Sequence, residues 1–317
     1  MIAKPAEWTS LVSLKLARLI EAAGLPPGLL SVLPGGGRTI GDAIVRHPKV
    51  GKITFTGGTS TGREIAAVAA HKLMPVSLEL GGKSPTIVLP DADFDQAIAG
   101  VLFGIFSSSG QSCIAGARLF VHTSIYKSFV GRLVESAKAL RIGRGTEAET
   151  QIAPMVTFAH RDKVAAMVQA SVDAGARVLC GGAVPGGDLS NGAFYPPTIL
   201  AGVTNSAAIC QQEIFGPVLV ALPFTDDDDL VQQANDTVFG LACGIWTSDF
   251  PRAYSLSRRI HAGTVWINTY KQFSISTPFG GMKESGLGRE KGREGIRAYM
   301  NQKSLYVGLS KKPLPWA

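Results

Sequence analysis

An alternation of short apolar strands and helices constrains this chain more than any other feature. A helical pattern from Ser10 to Ala23 stops at Gly24, turns through Pro26, Pro27 and Gly28, and leads to a short apolar strand, Leu29 to Leu33. The cycle repeats: Thr39 to Arg46 reads as a helix, KITFTG as a strand, Ser60 to Lys72 as a helix and PVSLEL as a strand. Strands separated by helical crossovers pair in parallel and need helices on their faces, so the expected fold class is α/β with a partial doubly wound domain. No strand is expected before the first helix, so the chain should begin inside one half of that domain.

Past Gly81 and Gly82 a second α/β series begins with the strand SPTIVLP, the helix Phe94 to Phe106, the strand ARLFVHT and the helix Ile125 to Leu140. VLVALPF, a helix through LVQQAND, ACGIWTS and GTVWINT continue it, which implies a separate core. The Gly- and Pro-rich stretch GGAVPGGDLSNGAFYPP reads as a surface loop, and YMNQKSLYVGLSKKPLPWA as a final strand and proline tail seeking a partner edge. With 317 residues, 45% of them apolar, the chain can bury such cores, and a disordered or fibrous reading is poor.

Composition also narrows the function. The four cysteines (Cys113, Cys180, Cys210, Cys243) are far apart and form no zinc-ligand or disulfide spacing, so no metal is expected and a reducing, cytoplasmic setting fits. No apolar run is long enough to span a bilayer, and the opening residues lack a signal core. The net charge of +7 comes from scattered Lys and Arg, while the one dense charge run, Asp226 to Asp229, is acidic. A solvated surface fits this better than a nucleic-acid face, and an anionic small cofactor also suits it.

Four places could do chemistry. Cys113 lies in GIFSSSGQSCIAGARLF, among serines, glycines and a glutamine that are poor core material, just after a helix end. That setting favours a nucleophile over the small buried hydrophobe most free cysteines are, whereas the other three cysteines keep the buried reading. A thiol needs a base, and Glu79 ends the strand PVSLEL, where α/β sheets present ligands; a surface glutamate is the equal alternative. None of the five histidines sits in a context expected beside a reactive thiol. FTGGTSTGREIA runs from a strand through Gly57 and Gly58 into a helix, so its backbone N–H groups could meet a pyrophosphate, or it is a plain capped turn. Glu213 in QQEIFGPVLV reads, taken alone, as a turn residue.

Taken together, KPAE, FTGGTSTG, LELGGKSP, GQSCIAGARLFV, QEIFGPV, NDTVFGLACGIWT, AGTVWINTY and PFGGMKESGLGRE resemble the NAD(P)-dependent aldehyde dehydrogenase superfamily in order and spacing over essentially the whole chain. The resemblance implies a partial cofactor-binding domain (1–80), an α/β catalytic domain (81–283) and a return to the cofactor domain with an oligomerisation tail (284–317). It implies that Cys113 attacks an aldehyde to give a thiohemiacetal, which becomes a thioester after hydride loss, and that Glu79 is the general base. The Cys113 backbone N–H would supply half of an oxyanion site. Lys4 and Glu7 would bind the adenosine ribose, Gly57 and Gly58 the pyrophosphate, and Glu213 and Phe215 the nicotinamide ribose and ring. Ser107, Ser112 and Ile114 would flank the substrate beside the nucleophile, with Tyr270, Phe273 and Phe279 at its entrance. The implied cofactor is NAD, with NADP as the alternative, and the implied partners are a small-molecule aldehyde and further copies in a homodimer or homotetramer, without nucleic acid or membrane.

Three departures qualify the resemblance. The family's oxyanion Asn and the first half of its cofactor domain precede KPAE and are expected to be missing; Ser107 and Ser108 replace an aromatic residue and an Asn; Gly58 replaces a Ser. Two rival readings remain: an inactive or truncated relative, and a cysteine hydrolase that uses Cys113 without a cofactor.

Overall fold

A computed structural model of the protein describes residues 1–309, 311, 312 and 316. In chain order the elements are β1 (Ile2–Ala3), α1 (Ser10–Ala22), β2 (Ser31–Val32), α2 (Asp42–Arg46), β3 (Ile53–Thr56), α3 (Thr59–His71), β4 (Val76–Glu79), β5 (Pro85–Val88) and α4 (Phe94–Phe106). There follow β6 (Arg118–His122), α5 (Tyr126–Lys138), α6 (Phe158–Asp173), β7 (Arg177–Cys180), β8 (Thr198–Ala201), α7 (Ala208–Gln211), β9 (Val218–Phe224) and α8 (Asp227–Asn235). The chain continues through β10 (Phe239–Gly240), β11 (Ala242–Trp246), α9 (Phe250–Arg259), β12 (Thr264–Ile267), β13 (Met282–Lys283), β14 (Gly286–Leu287) and α10 (Gly292–Arg297).

A seven-stranded sheet in the order β12-β11-β5-β6-β9-β8-β7 forms the centre, parallel except for β7, which runs antiparallel to β8. Its strands alternate between two cores. Ile87, Phe120 and Val220 face a cluster completed by Val164 and Val168 of α6, Leu230 of α8 and Leu256 of α9. Val88, Val121 and Leu219 face the other, with Val101 and Ile105 of α4 and Phe129 and Leu133 of α5. Strands covered on both faces read as continuous apolar runs, which is why SPTIVLP and VLVALPF were legible.

The first eighty residues form smaller sheets. β1 pairs in parallel with β2, and β3 pairs in parallel with β4, to which β14 adds an antiparallel edge. A strand therefore does precede the first helix, contrary to expectation; β1 is two residues long and too short to show periodicity. The expected strand Leu29 to Leu33 shrinks to Ser31–Val32, and the expected helix Thr39 to Arg46 becomes a π-turn at Gly37–Gly41 before α2. Three consecutive glycines disfavour a regular first turn there. The expected terminal strand is also absent among the described residues: 301–309 carry no strand, and Leu305, Tyr306 and Val307 are exposed. The proline tail expected after it, 313–315, lies outside the described residues. The acidic run caps α8, with Asp226 accepting from the backbone N–H groups of Asp228 and Asp229.

Among the described residues no helix is long and apolar enough to cross a membrane, and no group of His, Cys, Asp and Glu is placed to hold a metal ion.

Candidate active site

β4 delivers Glu79 to the end of its sheet, where the side chain is only 4% exposed. Its strand partners are Thr56 on β3 and Gly286 on β14, and its carbonyl accepts from the Gly57 N–H at 3.0 Å. The chain then turns through Gly81 and Gly82, and this turn gathers the other two groups. A Cβ on Gly82 would overlap the Cys113 carbonyl oxygen, and one on Gly81 would overlap the Glu213 carboxylate. The Gly82 N–H donates to Glu213 Oε1 at 3.1 Å. Cys113 and Glu213, from two separate motifs, thus meet at the turn that follows Glu79, and at Gly82, against the Cys113 backbone, no side chain fits.

The Cys113 loop is held open by an unusual backbone. Ser108, Ser109 and Gly110 have φ of 56°, 53° and 69°, the left-handed region that favours glycine. Tertiary contacts impose it: Gly110 packs against the Gly216 carbonyl, Ser109 Oγ donates to Ala153 O at 2.6 Å, and Gln111 Oε1 accepts from the Val156 N–H at 2.9 Å. Cys113 is half-buried, whereas Cys180, Cys210 and Cys243 are buried.

Charge in this site is poorly compensated. Burial pushes the Cys113 thiol up to about 11, helped by the Glu213 and Glu79 carboxylates and opposed by its own and Ile114's backbone N–H groups. Burial, then Glu290, raises Glu79 to about 8, while Arg289 works against them. Neither Glu79 oxygen has a hydrogen-bond partner among the described residues. At neutral pH the resting thiol therefore keeps its proton, and a largely neutral carboxyl group stands close by with a pKa suited to exchanging it.

The cofactor-side candidates lie on two turns. Gly58 precedes α3 without a side-chain cap, leaving the first N–H groups of a 13-residue helix available, and Thr59 Oγ1 is buried without a partner. Lys4 Nζ donates to the Gly35 carbonyl at 3.0 Å, and Glu7 Oε1 would lie 2.8 Å from a Cβ on Gly36. Lys4 and Glu7 thus meet at the Gly35–Gly37 turn, which the sequence reading passed over although three glycines between a strand and a helix were visible. Phe215 has φ of 56°, and its carbonyl accepts from His160 Nε2 at 2.7 Å, which leaves the ring partly exposed.

On the substrate side, Ser112 is half-buried beside the thiol and Ile114 is buried. Ser107 Oγ accepts from Lys271 Nζ at 2.6 Å. Tyr270 was expected at the entrance but lies beneath the loop, 3% exposed, with its hydroxyl donating to the Ile114 carbonyl at 3.0 Å. Its large ring fills the space left by Gly104 and Gly244, which explains the burial. Phe273 and Phe279 pack edge to face, 5.4 Å between centroids, and Phe273 remains exposed.

Arg118 and Ser285 are among the buried polar residues that the sequence reading missed. Arg118 is fully buried on β6 and donates to the carbonyls of Lys83, Gln233 and Ala234 and to Asn205 Oδ1. Ser285 donates to the Gly81 carbonyl at 2.7 Å and accepts from the Gly240 N–H at 2.9 Å, fixing the glycine turn from behind. An arginine inside the apolar run ARLFV was the available signal for the first; the second had none.

The arrangement defines an α/β protein with a half-buried thiol and a buried carboxylate at the mouth of a glycine turn. A model of the aldehyde dehydrogenase family matches residues 1–305, and the chain belongs to that family. It is 43% identical over 316 residues to betaine aldehyde dehydrogenase from Sinorhizobium fredii, covering 100% of this chain and 65% of that protein. The NAD+ complex of aldehyde dehydrogenase from Bacillus cereus superposes with a TM-score of 0.95 at 40% identity, over 98% of this chain and 62% of that one. PnpE from Pseudomonas sp. WBC-3 gives 0.96 at 39% identity, over 99% and 64%. The chain thus spans a little under two thirds of the length of these relatives.

Proposed function

We propose that the chain carries the nucleophile and base of an NAD(P)-dependent aldehyde dehydrogenase. The carrying observation is the Gly81–Gly82 turn, which seats Cys113 and Glu213 against the strand end that bears Glu79. Cys113 adds to the aldehyde carbonyl, its proton leaving to Glu79 directly or through water, and a thiohemiacetal forms on sulfur. The Cys113 and Ile114 backbone N–H groups favour the thiolate over the thiol, and the Cys113 N–H would also stabilise the oxyanion that the aldehyde oxygen becomes on addition. Bound cofactor supplies the hydride acceptor. Once Glu79 has passed the thiol's proton to solvent, it deprotonates a water that adds to the thioester carbonyl; the C–S bond breaks, the carboxylic acid leaves and the sulfur takes a proton back, which returns the thiol.

The residues present suit a dinucleotide. The uncapped N-terminus of α3 offers N–H groups to a pyrophosphate, Lys4 and Glu7 offer polar groups to a ribose, and Glu213 sits on the Gly82 turn where a nicotinamide would meet Cys113, with Phe215 two residues on. Glu7 favours NAD over NADP, because a carboxylate accepts from a ribose 2′-hydroxyl and repels a 2′-phosphate. On this reading residues 1–80 form the cofactor side, 81–283 the catalytic side and 284–317 the return with an oligomerisation tail. Exposed Leu305, Tyr306 and Val307 support assembly as a homodimer or homotetramer.

The test is NADH formation from a panel of aldehydes by the wild type and Cys113→Ala. Aldehyde oxidation that survives in the alanine variant overturns the assignment. Thiol-dependent ester cleavage indifferent to NAD, without aldehyde oxidation, favours the hydrolase instead.

A further inference from the structure

The segment after β12 holds a cation that the chemistry above does not use. Lys271 follows Tyr270, which is tied to the Ile114 carbonyl beside the nucleophile. Its φ of 55° is left-handed, a conformation that a lysine holds only where its neighbours impose it. The side chain runs back to the start of the Cys113 loop: Nζ donates to Ser107 Oγ at 2.6 Å and lies 5.7 Å from the centroid of the Phe103 ring. Ser107 Oγ in turn donates to the Phe103 carbonyl, so the lysine meets a neutral hydroxyl that is itself committed.

Among the described residues no carboxylate lies within ion-pair distance of Lys271. Burial lowers the ammonium to about 8, and Cys113 is the one charge partner that opposes this. A half-buried ammonium has three donors, and here one is used; the unmet demand is for an anion. Ser107 is small, which leaves the lysine its path toward the loop.

A second cation lies farther out. Lys291 Nζ sits 4.0 Å from the Phe273 centroid and 5.5 Å from that of Phe279. Open aromatic faces are what a quaternary ammonium ligand needs, and here the chain's own lysine covers them.

Resting on the aldehyde oxidation proposed above, we propose that Lys271 is a specificity-determining residue that receives an anionic group, a carboxylate distal to the reacting carbonyl, on aldehydes presented to Cys113. With Lys291 it disfavours aldehydes bearing a quaternary ammonium, such as betaine aldehyde.

Charge-selective alkylation tests this without requiring turnover. Iodoacetate and iodoacetamide both alkylate a thiolate, forming an S–C bond and releasing iodide, and they differ in the negative charge. The rate at Cys113 with each reagent is followed by peptide mass spectrometry in the wild type, Lys271→Gln and Lys271→Arg. The iodoacetate-to-iodoacetamide ratio should fall about five- to tenfold in Lys271→Gln, the scale of one charge pair several ångströms apart in a partly screened site. It should hold within about twofold in Lys271→Arg, which keeps the charge and controls for a folding defect. An unchanged ratio in the glutamine variant, or equal slowing of both reagents, overturns the proposal; equal slowing would mean that Lys271 only activates the thiol. Where NADH formation is measurable, Lys271→Gln should raise KM for a carboxylated aldehyde about tenfold and leave a neutral aldehyde of equal length within about twofold. A shifted alkylation ratio with no aldehyde oxidised would sink the proposed function and leave the anion site standing.

Discussion

The seven-stranded sheet and the sheets of the first eighty residues are written in the same alternating pattern, yet they are packed very differently. Ile87, Phe120, Val121 and Val220 are fully buried, with helices on both faces of their sheet. In α1 no residue is buried, and Leu11 and Val12 are 81% and 78% exposed. The Cys113 loop rests on the first region, the turns proposed to hold the cofactor, Lys4–Glu7 and Gly57–Gly58, on the second, and Glu79 stands at the junction. Groups that must be aimed at a reacting carbon need rigid support, whereas groups that hold a ligand by backbone N–H contacts tolerate a looser frame.

The largest expected effect lies in the rigid region. Cys113→Ala should abolish aldehyde oxidation while leaving the thermal transition nearly unchanged, because the thiol is half-buried and its backbone contacts remain. Measurable NADH formation by this variant would break the assignment of chemistry to that loop.

Packing gives the next contrast. Ile87→Ala should lose about 2–5 kcal/mol, the range for a large buried side chain truncated in a core that only partly collapses. Leu11→Ala should change stability by less than about 0.5 kcal/mol, as exposed substitutions do. Denaturant unfolding of both variants checks the pair, and a loss above about 1 kcal/mol at Leu11 would show that another surface covers α1 in solution.

Glu79 sharpens the comparison at the junction. Glu79→Gln should slow turnover by about a hundredfold, the scale of a lost general base. If the Glu79 carboxylate is the base, as proposed, activity should rise with pH through about 8, and this limb should vanish in the variant. Stability runs the other way. The folded state holds the Glu79 proton up to about 8 but the unfolded chain releases it near 4.5, so stability falls as pH rises between those values. Glu79→Gln should therefore be more stable than the wild type above pH 8, as measured by thermal unfolding; equal stability there would argue that the carboxylate is not desolvated.

These regions also differed in how far the sequence revealed them. The helix Phe94–Phe106 and the strand VLVALPF agree with the sequence reading to the residue, because the helix buries one face and shows a helical period, whereas the strand is a continuous apolar run bounded by turn residues. β1 and β2, two residues each, are held by pairing with one another rather than by any local pattern. Cys113 and Glu79 were legible because polar, glycine-rich surroundings and a strand end mark them locally. Lys271 was not, since its place depends on Ser107, 164 residues away in sequence, and on there being no carboxylate near it among the described residues, which only the fold reveals.

The smallest effect expected comes from a pair of glycines that look alike in the sequence, each in a Gly-Gly turn after a strand. A Cβ on Gly82 would strike the backbone carbonyl of Cys113, which cannot yield without moving the nucleophile, so Gly82→Ala should lower kcat at least tenfold, in line with the sensitivity of reacting groups to shifts of about 1 Å. Gly58 has φ of −68° and nothing within 4 Å of its virtual Cβ. Alanine fits that backbone without strain and trims the freedom of the unfolded chain, so Gly58→Ala should leave stability unchanged or raise it by up to about 1 kcal/mol. A methyl group there still leaves the α3 N–H groups facing outward, and KM for NAD should change by less than about threefold. A tenfold rise in that KM would mean that the pyrophosphate approaches the Gly58 Cα closely, and the loose region would then be as exacting at this turn as the rigid one is at Gly82.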